Sequence, residues 1–339
     1  MRTYNVAVVG ASGNVGREML KILEDRNFPV GNVYPLASER SAGKKVPFKD
    51  GELTIENLET FDFSKVEIGL FSPGASVSKI YAPKAAEAGC VVVDNTSFFR
   101  MDPDVPLVVP EVNPDAIAEY KKKGIIANPN CSTIQMMVAL QPIHELGTIE
   151  RIIVSTYQAV SGAGKDAMDE LFEQTRSKYV EALEVPPKKF TKPIAFNLIP
   201  QIDVFLDNDY TKEEMKMVNE TKKIMDSSIG VTATCVRVGV FNGHAESITV
   251  ETKRKVTAAQ AREAMEKTEG ITVVDNPAKL EYTTPVEASG EDPTFVSRIR
   301  EDESKENSLN LWCVADNLRK GAALNAVQIA EVLIRDHLK

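Results

Sequence analysis

A chain of 339 residues, 43% hydrophobic and 26% charged, is sized for about two domains with substantial cores. Its 40 Lys and Arg against 49 Asp and Glu give a formal charge of −9, which argues against nucleic acid or an anionic membrane as a partner. The four cysteines, Cys90, Cys131, Cys235 and Cys313, form no CxxC or metal-spaced cluster, and neither a signal peptide nor a membrane span is expected, so the reading is a cytoplasmic protein with reduced thiols.

In chain order, residues 6–9 form a short apolar run of strand-forming residues. Gly10-Ala11-Ser12-Gly13-Asn14-Val15-Gly16 follows at once, then helical spacing of Met19, Leu20 and Leu23. Further strands are expected at 32–36, 68–71, 91–93, 107–109 and 125–127, with helices at 77–88 and 114–122. Short apolar strands alternating with helices predict a Rossmann-type, doubly wound α/β domain on a mostly parallel sheet. Beyond residue 150 the pattern changes. A strand at 152–157 and a long helix at 165–180 lead into Pro186, Pro187, Pro193 and Pro200, then into longer strands at 232–240, 244–252, 294–300 and 309–314. Loops such as 301–308 join them, which predicts a second α/β domain on a mixed, largely antiparallel sheet. The amphipathic tail, 322–338, is expected as a helix that packs on the first domain. The division read from this pattern is 1–128 plus 316–339, and 129–315.

Gly10, Gly13 and Gly16 lie where a dinucleotide fold places its phosphate turn. Gly10 allows the tight turn, Gly13 lets backbone approach a pyrophosphate, and Gly16 lets helix pack closely on strand. The spacing is GxxGxxG rather than the commoner GxGxxG, so the strand–turn–helix context carries the reading against an ordinary glycine turn. After the second strand, where NAD-specific folds place a carboxylate, stand Ser38-Glu39-Arg40-Ser41. Two hydroxyls and a guanidinium suit a 2′-phosphate and point to NADP; Glu39, if turned inward, would repel that phosphate, and a plain solvated charge is the lesser reading of Arg40.

Asn128-Pro129-Asn130-Cys131-Ser132-Thr133 breaks a strand and opens a helix. Cys131 therefore sits at a helix N-terminus, where the dipole favours a thiolate. The other three cysteines fall beside or within apolar strands and read as fillers. Of three histidines, His337 is near the end and His144 lies more than two turns along the helix from Cys131. His244, seven residues beyond Arg237 at the start of a strand, is the acid/base candidate.

The turn at 10–16, the Ser38–Ser41 segment, Asn130-Cys131-Ser132-Thr133, Arg237 with His244, and Asp316-Asn317-Leu318-Arg319-Lys320-Gly321-Ala322-Ala323 together resemble the aspartate-semialdehyde dehydrogenase family, in order and over essentially the whole chain. The resemblance implies NADP-dependent, reversible conversion of aspartate β-semialdehyde and inorganic phosphate to β-aspartyl phosphate. That reaction serves amino-acid biosynthesis towards lysine, diaminopimelate, threonine and methionine. It puts the nucleophile on Cys131, which would form a thiohemiacetal, lose hydride to the nicotinamide and leave a thioester for phosphate to attack. It makes His244 the acid/base and Gln158 the residue that orients the substrate.

By the same resemblance Arg237 grips the substrate carboxylate, Glu220 meets its ammonium, and Lys223 and Arg100 take phosphate. From spacing alone Glu220 and Lys223 read as a solvated helix face, and Gln158 as a surface amide. Cofactor contacts are expected from Gly10, Ser12, Gly13, Asn14, Val15 and Gly16; from Ser38, Arg40 and Ser41; from Ser72 and Gly74; and from Ser161, Gly162 and Asn317. The second domain would carry the chemistry and the interface of a homodimer or homotetramer. Three other readings compete: the related N-acetyl-γ-glutamyl-phosphate reductases, against which Glu220 argues because an acylated amine wants no carboxylate; a Cys–His hydrolase, which leaves the glycine turn and the Ser38–Ser41 segment unexplained; and a non-catalytic nucleotide-binding regulator, which gives no reason for a cysteine at a helix N-terminus opposite Arg237 and His244.

Overall fold

β1 (Tyr4–Val9) is buried along nearly its whole apolar length, as a strand covered on both faces must be. The computed structural model describes residues 2–180 and 185–338, in two units: one of residues up to Asn130 plus those from Ala322, the other Cys131–Gly321. In the first unit β1 is followed by α1 (Asn14–Asp25), β2 (Val30–Ala37), a hairpin of β3 (Lys45–Phe48) and β4 (Gly51–Thr54), β5 (Glu56–Asn57), β6 (Ile68–Phe71), α2 (Ala75–Glu87), β7 (Val91–Asp94) and β8 (Ile125–Ala127). The six-stranded sheet runs β5-β2-β1-β6-β7-β8 with every pairing parallel. Strand order reverses between β1 and β6, so the turns after these two strands meet at the switch point where such sheets bind ligands.

The C-terminal helix, Leu324–Asp336, is entered through a π-turn at Arg319–Ala323 and sends Leu324, Val327 and Leu333 into the core that holds Val6, Val8 and Leu70. Arg26 grips both Glu331 oxygens at 2.7 and 2.8 Å and ties α1 to this helix. The strand expected at 107–109 is reduced to one bridge, Leu107 to Ala127. Pro106 and Pro110 flank it and bring no N–H to a ladder. Side chains serve the segment instead: Asn113 bonds Val109 N and Leu107 O, and Asn325 Nδ2 bonds Val108 O. The helix expected at 114–122 forms as a 3-10 helix.

The second unit runs α3 (Cys131–Gly147), β9 (Ile149–Gln158), α4 (Lys165–Tyr179), β10 (Leu198–Ile199), α5 (Lys212–Ile224), β11 (Gly230–Val238), β12 (His244–Thr252), α6 (Ala258–Glu266), β13 (Ile271–Val273), α7 (Pro285–Ala288), β14 (Thr294–Glu301) and β15 (Ser308–Ala315). Its seven-stranded sheet has the order β10-β11-β9-β12-β15-β14-β13. The β11–β9 and β13–β14 pairs are parallel and the other pairs antiparallel, giving the mixed sheet expected from the longer strands.

Helix α3 packs across β9, β12, β14 and β15, with α5 and α6 beside it. It is buried all round from Ser132 to Leu140, as a helix apolar on every face must be. α5 starts in a capping box: Thr211 Oγ1 accepts from Glu214 N at 3.3 Å while Glu214 Oε2 accepts from Thr211 N at 2.6 Å.

Candidate active site

In the first unit the glycine turn is shaped by close approach. Gly10 has φ +89°, and a Cβ there would stand 2.6 Å from Ser72 O; a Cβ on Gly16 would stand 2.3 Å from Gly10 O. Neither position admits a side chain, so the turn after β1 lies flat against the turn after β6. Helix α1 has no side-chain cap and no acidic residue in its first turn, and α2, which starts after Gly74 (φ +95°), likewise lacks both. Two uncapped helix starts at a switch point fit the pyrophosphate of a dinucleotide. Ser12, Asn14, Val15 and Ser72 are half-buried around these turns, and Gly13 is exposed.

Ser38 and Arg40 stand exposed beyond β2, whereas Ser41 is buried. Arg100 is buried too and spends Nε on Asn128 O (2.9 Å) and Nη2 on Asn95 O (3.0 Å).

In the second unit, strand register assembles one row of functional side chains. Gln158, last in β9, pairs with Arg237 near the end of β11. Ala245 pairs with Tyr157, which puts His244, first in β12, level with Gln158, and His244 itself pairs with Ala315 of β15. Cys131 is the first residue of α3, which lies on this sheet. It is half-buried, while the other three cysteines are buried and burial raises their thiols above the usual range. A Cβ on Gly321 would lie 2.9 Å from Cys131 Cβ, so the chain must be glycine where it passes the thiol. Arg237 feels the Cys131 charge directly, is buried, and uses Nη1 to bond Ala159 O at 2.7 Å.

His244 is fully buried, and burial together with the Arg237 cation lowers it to about 3, against an opposing pull from Glu213. Its Nδ1 accepts the Ala159 N–H at 3.1 Å, so the neutral ring carries its proton on Nε2. That Nε2 has no hydrogen-bond partner. Gly162 lies in front of it: a Cβ there would be 3.3 Å from His244 Cε1 and Nε2 and 3.4 Å from Arg237 Nη1.

Ser161 and Asn317, both buried, bond each other at 2.9 Å, and Asn317 Oδ1 accepts Gly243 N at 2.9 Å, immediately before His244. Asp316 anchors this loop by accepting from Asn242 Nδ2 and Gly290 N, both at 2.7 Å, and from Leu318 N at 2.8 Å.

One acidic residue at this site escapes sequence reasoning. Gln158 Nε2 donates to Glu213 Oε1 at 3.1 Å, and Lys216 holds the other Glu213 oxygen at 2.8 Å. Glu213, Lys216, Glu220 and Lys223 recur at helical spacing along one stripe of α5, so Glu220 and Lys223 lie two turns further along from the carboxylate that reaches Gln158. Glu220 is buried and Lys223 half-buried.

Both units resemble known proteins. The family model described as "Semialdehyde dehydrogenase, NAD binding domain" matches residues 5–120, and "Semialdehyde dehydrogenase, dimerisation domain" matches 140–320. An aspartate-semialdehyde dehydrogenase of Aquifex aeolicus is 55% identical over 338 residues, 99% of each chain, and one of Legionella pneumophila is 56% identical over 99% of this chain and 97% of its own. The crystal structure of the Vibrio cholerae aspartate semialdehyde dehydrogenase II complexed with ASA superposes with a TM-score of 0.97 at 54% identity, covering 99% of this chain and 100% of that one. A Candida albicans enzyme of the same name, solved with NADP, reaches a TM-score of 0.77 at 25% identity over 98% and 99% of the two chains. With a nicotinamide-dinucleotide fold in one unit and a thiol, an imidazole and a guanidinium converging in the other, the chain belongs to the aspartate-semialdehyde dehydrogenase family of oxidoreductases.

Proposed function

We propose that this chain is a phosphorylating, NADP-dependent aspartate-semialdehyde dehydrogenase that reduces β-aspartyl phosphate to aspartate β-semialdehyde and inorganic phosphate through a thioester on Cys131. The observation that carries the reading is the contrast among four thiols: three are buried, and only Cys131 stands half-open at a helix N-terminus within reach of the Arg237 charge. The first unit is the NADP-binding domain and the second the catalytic and dimerisation domain.

In the oxidative direction the Cys131 Sγ–carbon bond forms as the aldehyde C=O opens, and negative charge builds on the oxygen. His244 serves that oxygen through the proton on Nε2. Because Ala159 N–H occupies Nδ1, the neutral ring acts by donating a hydrogen bond, and the acid/base role takes the form of holding a proton against a developing oxyanion. The bound nicotinamide supplies hydride exchange at the substrate carbon. Phosphate then displaces Sγ from the acyl carbon and the thiolate leaves, so the nucleophile is regenerated.

Arg237, with one bond spent on Ala159 O, offers the rest of its fork to the substrate carboxylate. Gln158, braced by Glu213, orients the substrate; the ammonium and phosphate roles that the resemblance put on Glu220 and Lys223 go to Glu213 and Lys216, because Glu220 and Lys223 lie two turns further along α5 from Gln158, and Arg100 also takes phosphate. Ser38, Arg40 and Ser41 bind the 2′-phosphate, in keeping with the NADP of the Candida albicans structure. Ser161, Gly162 and Asn317 border the nicotinamide.

The chain works in the cytoplasm, in the biosynthesis of lysine, threonine and methionine; no helix among the described residues is long and apolar enough to cross a membrane. It assembles as a homodimer or homotetramer through the second unit, which the family model names a dimerisation domain and where Phe172, Phe196, Leu198 and Phe241 are exposed.

The test is phosphate-dependent NADPH formation from aspartate β-semialdehyde by the native protein and by Cys131→Ser. Turnover that needs phosphate and collapses in the variant is expected. Turnover only with the N-acetylglutamate semialdehyde would assign the related reductase instead, and none with either substrate would refute the reading.

A further inference from the structure

One fully buried carboxyl has no task in the proposed reaction. Glu246 lies on β12 two residues beyond His244 and is 0% exposed. The sheet register sets it opposite Cys313 of β15 and Thr156 of β9, and Thr156 in turn is level with Cys235 of β11. From the helix side it meets the side chain of Gln135, one turn along α3 from Cys131. Gln135 Nε2 donates to the backbone oxygen of His244 at 3.3 Å.

The remaining atoms do not balance. Gln135 Oε1 and both Glu246 oxygens are buried without a hydrogen-bond partner. The Gln135 amide N–H leans towards the carboxyl and opposes the effect of burial on it, but no hydrogen bond of ordinary geometry reaches either Glu246 oxygen or Gln135 Oε1, and three buried acceptors left so are costly. One proton resolves the conflict, because a carboxylic acid O–H gives the amide oxygen its missing donor. The surroundings favour that form. Burial pushes the Glu246 carboxyl well up, and the groups around it supply no cation: Thr156 is neutral, and burial also holds Cys235 and Cys313 as thiols. Beyond Cys235 the charged groups are the carboxylates Glu213 and Glu214, and the His244 ring on the same strand is neutral.

We propose that Glu246, as a protonated acid, is a positioning residue for the reaction: its O–H holds the Gln135 amide, and through the Gln135 bond to His244 O it locks the start of α3, with Cys131, against the start of β12, with His244. Glu246 touches neither substrate nor cofactor. It acts through the spacing of the two groups that do, and misplacement of reacting groups by an ångström lowers rates roughly 100-fold.

The proposal rests on the reaction proposed above for its kinetic arm only. Glu246→Leu removes the donor and keeps the bulk; Glu246→Gln is neutral and still offers an N–H to Gln135 Oε1. Glu246→Leu is expected to lower kcat roughly 10- to 100-fold with substrate KM unchanged, and to slow alkylation of Cys131 by iodoacetamide. Glu246→Gln is expected to restore both. Infrared difference spectra of native protein against Glu246→Gln at pH 8 are expected to show a protonated-carboxyl C=O stretch that the variant lacks. Carboxylate bands in its place would overturn the proposal, as would native kcat and alkylation in Glu246→Leu, or a Glu246→Gln variant as impaired as Glu246→Leu. Should Glu246→Leu fail to fold, Gln135→Met breaks the same chain from the helix side, and native turnover there would also overturn it. A native protein with no turnover refutes the reaction, while the infrared and alkylation results still decide the role of Glu246.

Discussion

Gly162→Ala is the sharpest test of whether His244 and Arg237 act together at one reacting centre. Gly162 lies in the short turn Val160–Ala163 and has no left-handed φ, so alanine brings no backbone strain there. The position is exposed, yet the added methyl would sit 3.3 Å from His244 Cε1 and Nε2 and 3.4 Å from Arg237 Nη1. These separations are tight enough that the neighbours must yield by a few tenths of an ångström, and the methyl occupies the approach to Nε2. Overpacking of this kind costs about 1–3 kcal/mol. If that cost falls on the reacting complex rather than on the fold, kcat/KM drops roughly 5- to 150-fold while urea unfolding is unchanged. Gly164→Ala is the matched control: φ is +91° with nothing within 4 Å of the new Cβ, so it strains the backbone without touching the site. Its ψ of −175° puts it in a region that is essentially glycine-only, so it should lose about 1–3 kcal/mol of stability and little activity. Native kcat/KM in Gly162→Ala, or an activity loss that merely follows unfolding, would refute the assignment of this face of His244 to the reaction.

The remaining expectations concern the cofactor and pH. Arg40→Ala removes an exposed guanidinium beside the expected 2′-phosphate, and loss of charge-assisted hydrogen bonds worth about 1.5–3 kcal/mol should weaken NADPH binding roughly 10- to 150-fold and leave NADH unchanged; equal weakening of both would return Arg40 to an ordinary surface charge. His244, at about 3 in the fold against 6.5 for the free side chain, takes up its proton in the unfolded chain first as pH falls. Its contribution to stability is therefore present above pH 6.5 and lost on acidification towards 3, with a slope of at most about 1.4 kcal/mol per pH unit. Urea unfolding of native protein and His244→Asn at pH 4, 5, 6 and 7 should show a shallower slope in the variant, and identical slopes would mean that the ring is not held neutral.

What could be read from the residues, and what could not, divides along the range of the interactions involved. The glycine turn and the thiol at a helix start are local: a strand, a turn and a helix follow one another without a break at 4–25, and Asn-Pro ends one element before Cys131 opens the next. The expected strand at 107–109 fails for a local reason as well, since Pro106 and Pro110 bring no N–H to a ladder on either side of an otherwise strand-like apolar run. The convergence of Gln158, Arg237 and His244 is different in kind. It depends on β11 pairing in parallel with β9 and β12 pairing antiparallel with the other edge of β9, and no spacing within the chain encodes those registers. Glu213 was missed for the same reason. Helical spacing defines the stripe Glu213–Lys216–Glu220–Lys223, but which end of it meets the sheet follows from the seating of α5 on β11.

Glu246 falls between these cases. Along β12 it shares parity with His244, Ile248 and Val250, all buried, whereas Ser247 and Thr249 on the alternate positions are more open. A period of two thus places a carboxyl among core residues from the sequence alone, and a buried carboxyl without a cation requires either a proton or a donor. Which of the two applies is a matter of what the facing helix brings to it. α3 brings an amide whose Nε2 bonds His244 O while its Oε1 has no donor, and a proton on Glu246 supplies the donor that this oxygen lacks.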